Sequence, residues 1–185
     1  MSAVKDGKCQ DTTMGLTPLA GVPMGTRSGD IDAAVVQFIC NKYGMSVDEC
    51  LNMLNKKSGV LDISGVSSDF RDLADGAAKG DENCALALDK FAYEVAKYGG
   101  AYAATLNGLD VLTFTAGVGE NDSATRAAIC DYLGFLGVKL DPELNAQRGE
   151  HKISAPDSKV EVWIAPTNEE LMIAQDTADL VKAAK

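Results

Sequence analysis

The chain of 185 residues lacks several features that would restrict its class. It has no run of eighteen apolar residues and no signal-peptide pattern, so the sequence predicts neither a membrane span nor secretion. Its 27 acidic residues outnumber its 17 basic ones, and the formal net charge of −10 argues against nucleic acid or an anionic membrane as a partner. A phosphate ligand would need local arginines, backbone N–H groups and a divalent cation to offset this charge.

Cysteine and histidine are too sparse and too scattered to predict a zinc or nucleophilic centre. The five cysteines include no Cys-x-x-Cys pair, and we interpret them as reduced thiols of a cytoplasmic protein. The single histidine, His151, lies in a polar stretch and is expected to be a solvated loop residue.

Turn and helix signals predict one α/β domain over residues 1–185. The pair Asp6-Gly7 predicts a hairpin over 2–11, which leaves an edge that needs another strand, and an ordered loop over 12–30. Apolar periodicity predicts five internal helices, at 31–43, 46–55, 68–80, 82–107 and 123–133. Gly44 is expected to end the first, a capping box of Ser46 and Glu49 to begin the second, and Gly99-Gly100 to form a weak point in the fourth. Apolar runs predict three strands, at 111–115, 138–140 and 160–164. A terminal helix is expected after a capping box at 167–170, with four inward residues: Leu171, Ala174, Ala178 and Val181.

The loop at 24–32 places Arg27 among glycines before a predicted helix. A guanidinium in such a loop can bind phosphate or carboxylate through two parallel hydrogen bonds. An ion pair of Arg27 with Asp30 or Asp32 that braces the loop explains the same residues without a ligand.

The Gly-rich run 114–121 follows the predicted strand and precedes a predicted helix. We interpret it as a turn, in which Gly117 and Gly119 let the backbone approach a phosphate or nucleotide, and the following helix offers N–H groups to an anion. A tight connection capped by Glu120 and Asn121 is the alternative without a ligand.

Two shorter segments are ambiguous when taken singly. At 68–71, Arg71 can contact a ribose or phosphate while Phe70 lines a base pocket, although a polar segment at a helix start is usually only a cap. At 166–170, the capping-box spacing of Thr167 and Glu170 leaves Glu169 free at a strand end. One carboxylate there is sufficient to hold Mg²⁺ together with substrate phosphates.

In this order, the segments resemble the acetate kinase family, which includes propionate kinases and is related to actin, sugar kinases and heat-shock ATPases. The resemblance covers most of the chain and is carried by six motifs: residues 11–19, 24–27, 55–59, 68–71, 114–121 and 166–170. It implies an actin-like, ribonuclease H-like α/β fold, with a mixed sheet flanked by helices and lacking its first strand. It also identifies the chain as the nucleotide-binding and dimerisation domain, the C-terminal half of such a protein.

The resemblance implies reversible transfer of the γ-phosphoryl group of ATP to acetate, which gives acetyl phosphate and ADP. Arg27 resembles the arginine that contacts the transferred phosphoryl group and the substrate carboxyl, and Glu169 resembles the glutamate of a Mg²⁺ (or Mn²⁺) site. Eight residues resemble nucleotide contacts: Asp69, Phe70, Arg71, Gly117, Val118, Gly119, Glu120 and Asn121.

Family members also have an N-terminal domain and a His-Leu-Gly-Asn-Gly phosphate loop, which this sequence does not match. We therefore expect a fragment or one half of a split protein, inactive alone and homodimeric. Three alternatives stay open: half of a propionate kinase, a non-catalytic nucleotide-binding or dimerisation module, and a regulatory nucleotide binder of the same superfamily. Arg27 argues against the last, because a nucleotide sensor has little need of an arginine aimed at the transferred group.

Overall fold

The structure, a computed structural model, describes residues 1–184 and combines short strands with longer helices. The strands are β1 (Ser2–Lys5), β2 (Lys8–Thr12), β3 (Val111–Phe114), β4 (His151–Lys152) and β5 (Glu161–Ile164). The helices are α1 (Ala34–Tyr43), α2 (Val47–Lys56), α3 (Gly59–Ser64), α4 (Phe70–Ala78), α5 (Glu82–Leu106), α6 (Ala116–Asn121), α7 (Ser123–Tyr132), α8 (Pro142–Asn145) and α9 (Glu169–Ala183). A 3₁₀ turn at Gly134–Leu136 follows α7.

The strands form two separate sheets. β1 and β2 make the predicted antiparallel hairpin, whose turn residues Asp6 and Gly7 have φ values of 53° and 71°. In the second sheet β5 is central, parallel to β3 and antiparallel to β4. The predicted mixed sheet flanked by helices is therefore confirmed.

The main hydrophobic core lies between this three-stranded sheet and the helices α5 and α7. Val162 and Ile164 of β5 pack there with Ile129 and Leu133. A second buried cluster joins α3, α4 and the start of α5, and Phe91 packs against both clusters. The predicted weak point at Gly99-Gly100 does not interrupt α5, and a Cβ on Gly99 would lie 3.4 Å from the side chain of Leu133.

Some local predictions were confirmed and others were wrong. Ser46 and Glu49 form a capping box at α2, and Gly44 ends α1 in the left-handed conformation with φ 65°. The predicted strand at 138–140 is reduced to a single bridge at Leu140. His151 lies in β4, with its ring nitrogens 2.9 Å from the carbonyl oxygens of residues 149 and 144, so the prediction of a solvated loop residue was wrong.

The last helix differs most from its prediction. None of the described residues of α9 is buried, and the predicted inward residues Leu171 and Val181 are about half exposed. The helix is apolar on a face that nothing in residues 1–184 covers. Over the same residues, no helix combines the length and the apolar character needed to cross a bilayer.

Candidate functional site

The loop that carries Arg27 is bound along its backbone to the junction between α2 and α3. The N–H groups of Val60 and Leu61, in the first turn of α3, donate to the carbonyl oxygens of Met24 (3.1 Å) and Gly25 (3.0 Å). Gly59 makes this approach possible, because it has φ +65° and an added Cβ would lie 2.1 Å from the Met24 carbonyl oxygen. These hydrogen bonds fix the backbone around Arg27, and a side chain at position 59 would obstruct them.

The guanidinium of Arg27 forms no ion pair within residues 1–184; its Nη1 lies 3.5 Å from the sulfur of Met24. Asp30 accepts instead from the Gly21 N–H (2.7 Å) and from the hydroxyl of Tyr98. Asp32 accepts from the backbone N–H of residue 34. The predicted alternative, in which Arg27 braces the loop by pairing with Asp30 or Asp32, is therefore wrong, and the half-buried Arg27 has no carboxylate partner within residues 1–184.

Asp69, Phe70 and Arg71 lie beside the Arg27 loop, since a Cβ on Gly25 would lie 3.2 Å from that of Ser68. Asp69 caps α4 by accepting from the Arg71 N–H (2.9 Å), and its carboxylate pairs with the Arg71 guanidinium at 2.5 Å. Hydrogen bonds from Arg71 lower the pKa of Asp69 to about 2. The side chain of Arg71 remains 89% exposed.

The ring of Phe70 packs edge-on against Phe91, with ring centroids 4.7 Å apart. This contact places Phe70 at the border of the second buried cluster. Packing against the core therefore explains the position of the Phe70 ring in part, without a ligand.

The Gly-rich segment is a helix and not the predicted turn. α6 begins at Ala116, with only Thr115 between it and β3, and Ala116 has φ +59°. Glu120 accepts from the Ala116 N–H (2.7 Å), and Asn121 donates from its side chain to the Gly117 carbonyl (2.9 Å). The two glycines differ: a Cβ on Gly119 would lie 3.3 Å from the backbone of residue 114, whereas one on Gly117 would meet nothing within 4 Å.

A buried arginine beneath α6 was missed from the sequence. Arg126 of α7 is only 2% exposed, and its Nη1 donates to the Gly119 carbonyl oxygen at 2.9 Å. Its Nε and Nη2 donate to the side-chain and backbone oxygens of Asn145, at 2.8 and 2.5 Å. Burial lowers the pKa of the guanidinium. The available signal was helical spacing, because Arg126 shares a face of α7 with the buried Ile129 and Cys130.

The parallel pairing of β3 and β5 brings two predicted segments to one edge of the sheet. Phe114 is opposite Ile164, and the Ala165 N–H donates to the Phe114 carbonyl at 2.9 Å. α6 therefore leaves the same edge as the segment that leads to Glu169. The carboxyl edge of parallel strands is where ligands bind in open α/β sheets.

Glu169 is an exposed residue in the first turn of α9. The cap of this helix is Asn168, whose side chain accepts from the Leu171 N–H at 3.1 Å, so the prediction of a Thr167 capping box was wrong. No group of three or more His, Cys, Asp or Glu residues in the described part of the chain could hold a metal by itself. A single exposed carboxylate does fit Mg²⁺ that arrives bound to nucleotide phosphates, because such a cation takes few protein ligands and keeps waters.

The structure thus joins the predicted residues in two pairs of segments. One pair is the Arg27 loop with residues 68–71, and the other is α6 with the segment that leads to Glu169.

Comparison with known proteins gives a consistent result. The sequence signature of the Acetokinase family matches residues 1–175. The acetate kinases of Lachnoclostridium phytofermentans and Thermotoga maritima are 56% and 57% identical over 98% of this chain and 46% of their own length. The crystal structure of Porphyromonas gingivalis acetate kinase matches with a TM-score of 0.92 at 46% identity, covering 97% of this chain and 46% of that one. A propionate kinase from Francisella tularensis matches with a TM-score of 0.89, also at 46% identity, covering 94% of this chain and 44% of that one.

The chain spans about half the length of the curated relatives that it matches. Over that half, the predicted relationship to acetate kinases and their actin-like fold is confirmed by sequence and by structure. The chain belongs to the Acetokinase family.

Proposed function

We propose that this chain is the nucleotide-binding and dimerisation domain, residues 1–185, of a kinase that reversibly transfers the γ-phosphoryl group of ATP to acetate. The observation that carries the proposal is the family match over residues 1–175, together with acetate kinases that are 56–57% identical over 98% of the chain. Catalysis requires the part of the relatives that this chain does not span, so the domain alone is inactive.

Arg27 is the proposed catalytic residue. Its guanidinium has no carboxylate partner among residues 1–184, and the surrounding backbone is held by α3. In-line phosphoryl transfer needs mainly positioning and charge stabilisation from the protein. A fixed guanidinium would stabilise the charge that develops on the equatorial oxygens and would orient the carboxylate of the acceptor.

The nucleotide would contact two of the segments. Arg71 keeps an exposed guanidinium for a phosphate or ribose, beside Asp69 and Phe70, which cap and anchor α4. α6 would receive the adenosine side, where residues 117–121 follow the carboxyl end of β3. Because the chain has a net charge of −10, such local groups must offset repulsion of the polyphosphate.

Glu169 would hold the Mg²⁺ (or Mn²⁺) that accompanies the nucleotide. Its carboxylate is exposed at the sheet edge that α6 also leaves. When bound, the cation would neutralise phosphate charge. Glu169 itself supplies one negative ligand and leaves the remaining positions to water and phosphate.

Propionate is the second candidate acceptor. The solved propionate kinase and the solved acetate kinase are equally identical to this chain, at 46%. A single methylene in an apolar pocket changes binding by only about 1–3 kcal/mol, so both acids are expected to react.

Arg27→Ala tests the proposed function when it is made in the full protein encoded by the reading frame that contains this chain. Acetyl phosphate formation from acetate and Mg·ATP should fall about 10²–10³-fold, and Arg27→Lys should recover only part of it because an ammonium lacks the planar fork. Propionate in place of acetate discriminates the second candidate. Absence of transfer to either acid by that full protein would contradict the proposal and favour a non-catalytic nucleotide-binding or dimerisation module.

A further inference from the structure

α6 depends on tertiary contacts for its stability. It has six residues, two of them glycine, and helices of this length and composition are marginal in water. Its first N–H group is held by Glu120, a contact within the helix. The Gly119 carbonyl, near its carboxyl end, is held by Arg126 from α7.

Packing alone does not explain a buried arginine at this position, because burying its charge is unfavourable. A buried guanidinium loses several kcal/mol of hydration, and apolar residues of similar volume often replace buried charges without loss of stability. No carboxylate lies within ion-pair distance of Arg126 in the described residues, and Asp122 accepts instead from Thr125. Its three observed donors all point to neutral oxygens, of Gly119 and Asn145.

Asn145 completes the network and fixes its geometry. It is 6% exposed, lies at the end of α8, and donates from its side chain to the Ser123 carbonyl at 2.9 Å. Arg126 thereby connects α8 and the start of α7 to the backbone of α6. Asn145 holds two nitrogens of the planar Arg126 guanidinium, and the third nitrogen therefore fixes the direction in which the Gly119 carbonyl points.

We propose that Arg126 is a positioning residue, which holds residues 117–121 in the conformation that receives the adenosine side of the nucleotide. The inference rests on the proposed function for its ligand, and on the hydrogen bonds above for its geometry. Arg126 acts through the Gly119 carbonyl and does not touch the nucleotide. Its positive charge also lies at the carboxyl end of α6, where a cation stabilises a helix.

The test combines hydrogen exchange with calorimetry on the 185-residue chain. Arg126→Met should speed exchange of the amides at 117–122 by about tenfold or more, while α5 keeps its protection. The Kd for Mg·ADP should rise by a similar factor. Arg126→Lys, which keeps the charge but lacks the fork, should be intermediate, and it carries the same test if the methionine variant does not fold.

A matched control separates positioning from general loss of stability. Ile153→Val removes a buried methylene from the main core, where Ile153 is fully buried. It should lower the melting temperature without altering exchange at 117–122 or nucleotide affinity. Unchanged exchange at 117–122 in the Arg126 variants would overturn the proposal, as would wild-type affinity in a variant whose segment is loosened. If the wild-type chain does not bind Mg·ADP but its Arg126 variants lose local protection, nucleotide binding by this chain fails while the positioning of α6 stands.

Discussion

Gly59→Ala should be far more damaging than the same change at Gly65, at the other end of α3. The two glycines have nearly identical positive φ angles, +65° and +66°. A Cβ at Gly65 would meet nothing within 4 Å, whereas one at Gly59 would lie 2.1 Å from the Met24 carbonyl oxygen and 2.7 Å from that of Arg27. The pair therefore separates backbone strain from steric conflict with the Arg27 loop.

The expected magnitudes follow from these contacts. Gly65→Ala should lower the free energy of unfolding by about 1 kcal/mol, the cost of a left-handed alanine less the entropy removed from the unfolded chain. Gly59→Ala carries the same strain and also displaces the loop from the N–H groups of Val60 and Leu61. Unsatisfied buried groups cost about 1–3 kcal/mol each, so a total loss of about 3–5 kcal/mol is expected.

Urea unfolding followed by circular dichroism measures both variants, and equal m-values are required for the comparison. Hydrogen exchange provides a second readout, because the Ser28 N–H donates to the Leu54 carbonyl only while the loop is in place. It should exchange faster in Gly59→Ala and remain unchanged in Gly65→Ala. Equal losses of stability in the two variants would refute the argument that α3 clamps the Arg27 loop.

Three further predictions concern single side chains. The hydrogen bond to Asp30 and burial raise the pKa of Tyr98 to about 12, so absorbance titration should show a phenol that ionises near pH 12, and Tyr98→Phe should remove that step. The contribution of this hydrogen bond to stability is present below pH 10 and lost as pH rises through 12, and a titration that Tyr98→Phe leaves unchanged would contradict the bond. Arg71 lowers the pKa of Asp69 from 3.8 to about 2, so the ionised carboxylate stabilises the fold fully above pH 3.8. The difference in melting temperature between wild type and Asp69→Asn should vanish as the pH falls through 2, and a difference that persists there would contradict the ion pair. Ser46→Ala removes the cap of α2 and should cost about 1 kcal/mol in urea unfolding, whereas a loss below the error of the method would show that the cap is not formed.

The features predicted well from sequence are those with local causes. Asp6-Gly7 determines the hairpin turn, and Ser46 with Glu49 determines the start of α2, because each involves residues a few positions apart. α6 was missed because two glycines and the positive φ of Ala116 are unfavourable in a helix until tertiary contacts hold it.

The features predicted poorly depend on distant contacts. The apolar face of α9 predicts burial, but within residues 1–184 nothing covers it, and periodicity gives no information about the partner. The role of Arg126 depends on Asn145, nineteen residues away, which no local pattern reveals. For the candidate site, the family resemblance selected the segments, whereas their separation into two pairs required the pairing of β3 with β5 and the contact at Gly25.

The affinity of this chain for nucleotide decides whether it is a nucleotide-binding domain. Calorimetry with ADP in the presence of Mg²⁺ would compare wild type with Gly119→Val and with Gly117→Ala, since only a side chain at Gly119 would press on the backbone of residue 114. Wild type and Gly117→Ala should bind alike, and Gly119→Val should remain folded but not bind. A folded wild-type chain that binds no nucleotide, or a Gly119→Val variant with undiminished affinity, would contradict the proposed nucleotide-binding role.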